Sequence, residues 1–301
     1  GMFLADTNHL AWYAYLSSLP LFLGGAWLSQ LPSLHRPLAS ERPALLDPWL
    51  LLATLVALAF RLYRFDTVPF GTWYDEAVAG LEARQLLQDT SFRPVFWEAM
   101  NHPTHHLYLF ALAMRIWGDN ILALRAVSAL FGLGTVWVAY LFGRAWGGRR
   151  WGVLLALLMA TLRWDVNFSR IAMNGLDAPF FEFLTLYFGQ RAARAGWPRF
   201  EAAAAGLSLG LGLCFYTGFR LFVIALIVWG VVWLVWTGWV QRHRSAMSGP
   251  ATALVGRPLW RAWGVAALGA WLAVMPVAQF ALSDPQTFWN RTQMVSIFTN
   301  R

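Results

Sequence analysis

The run LFVIALIVWGVVWLVWTGWV at 221–240 carries no formal charge over twenty residues. A helix needs about 20 mostly apolar residues to cross the hydrocarbon core of a bilayer, so this stretch reads as a span. Just upstream, AAAAGLSLGLGLCFYTGF at 202–219 is equally uncharged, and so is 262–282. Segments 45–63, 121–143 and 178–193 carry charges only near their ends. Segment 151–168 is interrupted by Arg163 and Asp165, and 10–31 contains Pro20. The start of the chain lacks the basic region of a signal peptide, so 10–31 reads as an extra helix.

Composition agrees. Of 301 residues 58% are hydrophobic and 13% charged, and mean hydropathy is +0.48. A soluble domain carries about 25% charged residues, so this chain has too little charge to cover a water-facing surface. Its 19 Trp, 22 Phe and 8 Tyr suit a protein that meets two membrane interfaces. The fold class is all-α, a polytopic transmembrane helix bundle. Disordered, collagenous and coiled-coil readings fail on hydrophobicity. Cys214 is the one cysteine, which excludes a disulfide scaffold and a Cys-based metal site. The net charge of +8 comes from Arg with no Lys. These arginines sit in short loops between apolar runs, so topology accounts for them and nucleic acid is not a partner.

The stretch 105–117 is apolar but too short to span, and after Pro103 it reads as an interfacial helix. That fixes the parity downstream: Arg144, Arg149 and Arg150 share a side with Arg191, Arg194 and Arg199, and with Arg242 and Arg244. The totals, twelve Arg against eleven, are nearly even, but density in short loops makes that side cytoplasmic. Among the acids, Glu41, Asp47 and Glu201 fall inside and nearly all the others outside. Two outer segments stand out, 64–104 and 164–177. The first is long for a compact protein and therefore reads as functional. Ala202, Gly206 and Gly210 recur every four residues on one face, a signature of close helix packing.

The chemistry falls in those outer segments. After Pro69 and Gly71 turn the chain, 73–88 reads as an amphipathic helix with Trp73, Ala77, Leu81 and Arg84 near one face. Asp75 is either a helix-start residue, third after an N-cap at Thr72, or a general base near the outer membrane face. The two are compatible, because a capped helix start holds a carboxylate rigid. In Asn101-His102-Pro103-Thr104-His105-His106 the spacing matches no zinc motif. His105 and His106 read as a turn before a helix with Pro103 at its first position, whereas His102 is placed for function. In 164–177, Arg170 and Asp177 either pair with one another, or Asp177 faces Asp75 across a cavity while Arg170 binds an anion. Tyr216-Thr-Gly-Phe-Arg220 offers the same choice for Arg220, and the planar fork of Arg suits phosphate.

These blocks resemble the superfamily C glycosyltransferases, family 39-like, with protein mannosyltransferases and lipid A aminoarabinose transferases as relatives. RLYRFDTVPFGTWYDE at 61–76 is similar to the start of their first outer loop. NHP at 101–103, GDNILALRAVSALFGL at 118–133 and FSRIAMNGLD at 168–177 follow in the same order, then YTGFRLF at 216–222 and RTQMVSIF at 291–298. The resemblance covers 45–301, leaving 1–44 as an N-terminal extra helix and loop. It implies an inverting transferase that takes a sugar from a polyprenyl-phosphate donor. The acceptor is a protein, lipid or glycan hydroxyl at the outer face of a bacterial inner membrane. Carried over position by position, it makes Asp75 the general base, Glu76 its support and Asp177 a second outer-loop acid. His102, Arg170, Tyr216 and Arg220 are then the donor phosphate-binding residues. Thr104 departs from the pattern, since several relatives carry a second Pro there. Such enzymes continue beyond the equivalent of Arg301, so the resemblance implies a truncated chain.

A lipid-phosphate sugar already has a leaving group. The protein must supply a base for the acceptor and positive charge for the departing phosphate. With Arg available, no metal cofactor is required, and no D-x-D motif is present to hold one. The alternative reading is a transporter or flippase for a lipid-linked or anionic solute, which calls for broken helices in matched halves. A third is a structural membrane subunit whose outer loop binds a partner.

Overall fold

The structure is a computed structural model that describes residues 8–30, 47–97, 102–194, 198–244 and 258–295. Asn101, Glu41 and 296–301, all used in the sequence reading, lie outside the described residues. Almost everything described is helical. Helices α1 (Asn8–Leu28) and α2 (Pro48–Leu62) come first, followed by α3 (Tyr74–Gln88). A short hairpin pairs β1 (Phe96–Trp97) antiparallel with β2 (His102–Pro103), matching Trp97 with His102. Next are α4 (His105–Trp117), α5 (Ile121–Gly147), α6 (Arg149–Thr161) and α7 (Arg163–Phe168). Then come α8 (Asp177–Arg194), α9 (Arg199–Phe215), α10 (Arg220–Arg244), α11 (Pro258–Ser283) and α12 (Pro285–Val295).

The chain is an all-α membrane helix bundle. Among the described residues, Ile121–Gly147, Thr217–Trp236 and Arg261–Ser283 are long and apolar enough to cross a membrane. The segment 151–168 is not one helix. It stops at Thr161, Leu162 adopts an extended conformation, and α7 starts anew. The cause is electrostatic. Asp165 is turned fully inward to pair with the buried guanidinium of Arg61. Arg61 also donates to Ser169 Oγ (3.1 Å) and to the carbonyls of Met159 (3.1 Å) and Ala160 (3.2 Å), tying α2, α6 and α7 together.

Helix α5 occupies the centre, packed on α6, α8, α2 and α4. A second layer is built from α8, α9, α11 and α1. The small-residue stripe on α9 faces α11. A Cβ added to Gly206 would stand 1.9 Å from the Ala266 carbonyl oxygen, and one on Gly210 would stand 2.4 Å from that of Ala270. Backbone has nowhere to retreat at such a contact. We expect Gly206→Ala to cost about 1–3 kcal/mol through overpacking. Gly189→Ala on α8, where nothing lies within 4 Å, should be neutral or mildly stabilising. Thermal melts of both variants in one detergent check the contrast.

The two ends of the bundle differ in chemistry. At one end Asp47 caps α2, accepts from Arg149 Nε (2.6 Å) and from Tyr140 (2.7 Å), and Arg194 donates to Trp146 O (2.7 Å). At the opposite end lie α3, the hairpin, α4, α7 and the starts of α5, α8 and α10. Helix α1 is more than an appendage there. Tyr15 donates to Ala273 O (2.7 Å) and its hydroxyl lies 3.2 Å from His105 Nε2. Cys214 is buried against the same carbonyl (3.1 Å).

Candidate active site

The start of α3 sets the geometry. The N-cap is Trp73, not Thr72, and the carboxylate that closes the first turn is Glu76, which accepts from Trp73 N at 2.9 Å. Glu76 is fully buried. It takes Arg125 Nε at 2.8 Å on one oxygen and Nη2 at 3.0 Å on the other, and it accepts from Ala172 N at 2.8 Å. Arg125 continues to Gly71 O (2.7 Å). A single ion pair therefore joins the start of α3, α5 and the segment 164–177. It also sets the rotation of α3. The buried face is Glu76, Ala79, Ala83 and Leu86, while Trp73, Ala77, Leu81 and Arg84 are exposed. Bidentate pairing of a buried carboxylate outweighs the placement of a few apolar side chains.

With Glu76 occupied in the cap, Asp75 is left to face a cavity of about 180 Å³. Its wall includes His102 and His106 from the hairpin and α4, Asn174 from the second outer segment, and Tyr216 at the end of α9. His102 Nδ1 lies 3.2 Å from Thr217 Oγ1, and its ring centroid lies 5.6 Å from that of Tyr216. Pro103 belongs to strand β2 and not to the first turn of α4, whose N-cap is Thr104. Thr104 uses groups that a proline lacks: its N–H donates to Val95 O (3.2 Å) and its hydroxyl to Pro94 O (2.7 Å), closing the hairpin behind His102.

Three expected site residues, Arg170, Asp177 and Arg220, lie outside the cavity wall. Arg170 does not pair with Asp177, and its guanidinium is not in the cavity wall. It donates to the carbonyls of Phe60 (2.6 Å), Arg61 (3.0 Å), Tyr63 and Val68 (2.7 Å). Those oxygens are the unsatisfied end of α2 and the turn after it, and cations are favoured at such ends. Asp177 is buried as the first residue of α8, where its carboxylate faces the backbone amides of Gly175, Asp177 and Ala178. It does not line the cavity with Asp75. Arg220 opens α10 with its guanidinium carbon 4.0 Å from the Phe288 ring centroid and 5.1 Å from that of Trp289, a cation–π stack.

Two residues escaped the sequence reading. Arg125 lay inside an apolar run, where an ionisable side chain is itself a signal. His106 was read as part of a turn, yet it lines the cavity. Burial pushes the His106 imidazole down to about 4 and that of His105, packed on Trp12 and Tyr15, down to about 3. Both are neutral at pH 7. The folded values lie below the unfolded value of about 6.5, so the unfolded chain binds more protons once pH drops below 6.5. Stability should therefore fall from pH 6.5 towards pH 4, by up to ~1.4 kcal/mol per pH unit for each imidazole. Melts between pH 7.5 and 5 in detergent should show that slope, and it should flatten in His105→Phe and His106→Gln.

No curated protein and no solved structure matches the chain. The profile of the dolichyl-phosphate-mannose-protein mannosyltransferase family matches residues 101–260, just over half of the chain. The matched stretch holds His102, Arg125, Asn174, Tyr216 and Arg220 and begins after Asp75 and Glu76. The chain therefore belongs to the dolichyl-phosphate-mannose-protein mannosyltransferase family, a family of membrane glycosyltransferases of the superfamily C type.

Proposed function

We propose that the protein transfers a sugar from a polyprenyl-phosphate donor to an acceptor hydroxyl at the outer face of the membrane, with inversion at the anomeric carbon. The observation that carries this is the position of Asp75 in a cavity shared with His102, Asn174 and Tyr216. Asp75 takes the proton of the acceptor hydroxyl as its oxygen bonds to the anomeric carbon. The bond from that carbon to the phosphate oxygen breaks, and the lipid phosphate leaves with the electron pair. Arg220, two residues beyond the cavity-lining Gly218, supplies positive charge for the phosphate. His102 and Tyr216, each held by the other's segment, position the reacting groups. Glu76 and Arg125 keep Asp75 in place.

Asp177 stays outside the reaction in this reading, and Arg170 acts as a cap. The family name supports a mannosyl-lipid donor and a protein acceptor, while lipid or glycan acceptors are the other outcomes. The test is transfer of radiolabelled polyprenyl-phosphate mannose to an acceptor panel by purified protein. A lipid that crosses vesicles without any transfer would favour the transporter reading. Sidedness is read by single cysteines at Asp75 and Gly147 in a Cys214→Ser background. An impermeant thiol reagent outside intact cells should label the first and spare the second.

A further inference from the structure

A second cavity of about 200 Å³ adjoins the first, and Met173, Asn174 and Tyr216 lie in both walls. Its other side is formed by Trp164 and Phe168 of α7, whose ring centroids are 4.9 Å apart, and by Glu182 of α8. Glu182 is the one acid in α8 beyond its first residue. Glu182 is partly buried, and its carboxylate lines the cavity with no hydrogen-bond or ion-pair partner among the described residues. Of the other acids in this half of the chain, Asp165 is paired with Arg61 and Glu76 with Arg125, and Asp177 is buried at its helix start and lines neither cavity.

We propose that this second cavity holds the sugar ring of the lipid-linked donor, with Glu182 accepting hydrogen bonds from its hydroxyls and the α7 aromatic pair covering its apolar face. The inference rests on the transferase reading above. A pyranose has one edge of hydroxyls and a face of C–H groups, and the wall offers a carboxylate, an amide and aromatic rings for these two surfaces. The volume lies below the ~300–1,000 Å³ of pockets for drug-sized ligands, so it takes one ring and leaves the polyprenyl tail to the bilayer. The arrangement also suits the displacement. A ring seated here puts its anomeric carbon at the shared wall of Asn174 and Tyr216. The acceptor then approaches from the Asp75 side, and the phosphate departs towards Gly218 and Arg220.

The test compares binding of polyprenyl-phosphate mannose with binding of bare polyprenyl phosphate, in detergent, by quenching of tryptophan fluorescence and by calorimetry. Wild type and Asp75→Asn should both prefer the sugar-bearing lipid by about tenfold or more, the scale of a hydrogen bond to a charged group. Glu182→Ala should lose that preference while its affinity for the bare lipid stays unchanged. Trp164→Leu reports on the same site if Glu182→Ala does not fold, and it should shrink the preference too. An undiminished preference in folded Glu182→Ala or Trp164→Leu would overturn the assignment. So would a wild type that transfers mannose yet binds both lipids equally, and in that case the transferase reading survives. A wild type that binds neither lipid and transfers nothing removes both.

Discussion

Asp75→Asn should abolish transfer, lowering it by about 10²–10⁴, the usual contribution of a positioned general base. Asparagine has nearly the same size and cannot take a proton, so the change isolates chemistry from packing. The side chain is only partly buried and Glu76, not Asp75, closes the first turn of α3. Expression, thermal midpoint and donor affinity should therefore stay close to wild type. Initial rates with saturating radiolabelled polyprenyl-phosphate mannose give the kcat comparison, and a binding isotherm with the same lipid gives the control. Undiminished turnover in the variant would remove Asp75 from the mechanism and leave a cavity without a base. The active-site fold would then be better read as a binding surface.

The second large effect is expected at Arg125. Removing one member of a buried ion pair leaves an uncompensated charge, at a cost of about 3–5 kcal/mol. Arg125 and Glu76 are both almost wholly buried and doubly hydrogen-bonded, so Arg125→Met should approach that range in detergent melts. The Glu76→Met, Arg125→Met double variant removes both charges and should regain part of the stability. It should not regain transfer. Glu76 also accepts from Trp73 N and Ala172 N, and those two bonds hold the start of α3 against the second outer segment. Stability and turnover recovering together in the double variant would show that the pair merely fills space.

Much of the architecture was legible in the chain. The boundaries of α4 at His105 and Trp117 coincide with the apolar run after Pro103, and α5, α10 and α11 contain the expected runs that are long and apolar enough to cross a bilayer. The stripe of Ala202, Gly206 and Gly210 announced the approach of another backbone, because small residues at a period of four leave a groove whatever fills it. Asp75 and His102, singled out because each sits beside a turn, line one cavity. Each of these is a local property, written in residues within a helix turn or two of one another.

The contacts that the linear reading missed are non-local. The break at Leu162 arises because Asp165 meets Arg61, 104 residues earlier. The cap of α3 passed from Thr72 and Asp75 to Glu76 because Arg125, 49 residues on, fixes that carboxylate. Arg170 went to the carbonyl end of α2, a partner set that periodicity does not reveal. Hydropathy decides which segments become helices, since burying backbone in lipid demands it. Which buried charge finds which partner is decided when the helices pack, because an ion in low dielectric is stable only beside its counterion. The sequence thus determined a membrane bundle with its candidate polar chemistry in segments 64–104 and 164–177. Tertiary structure alone decided that Glu76 and Arg125 brace the site and that Asp75 is left to face the cavity.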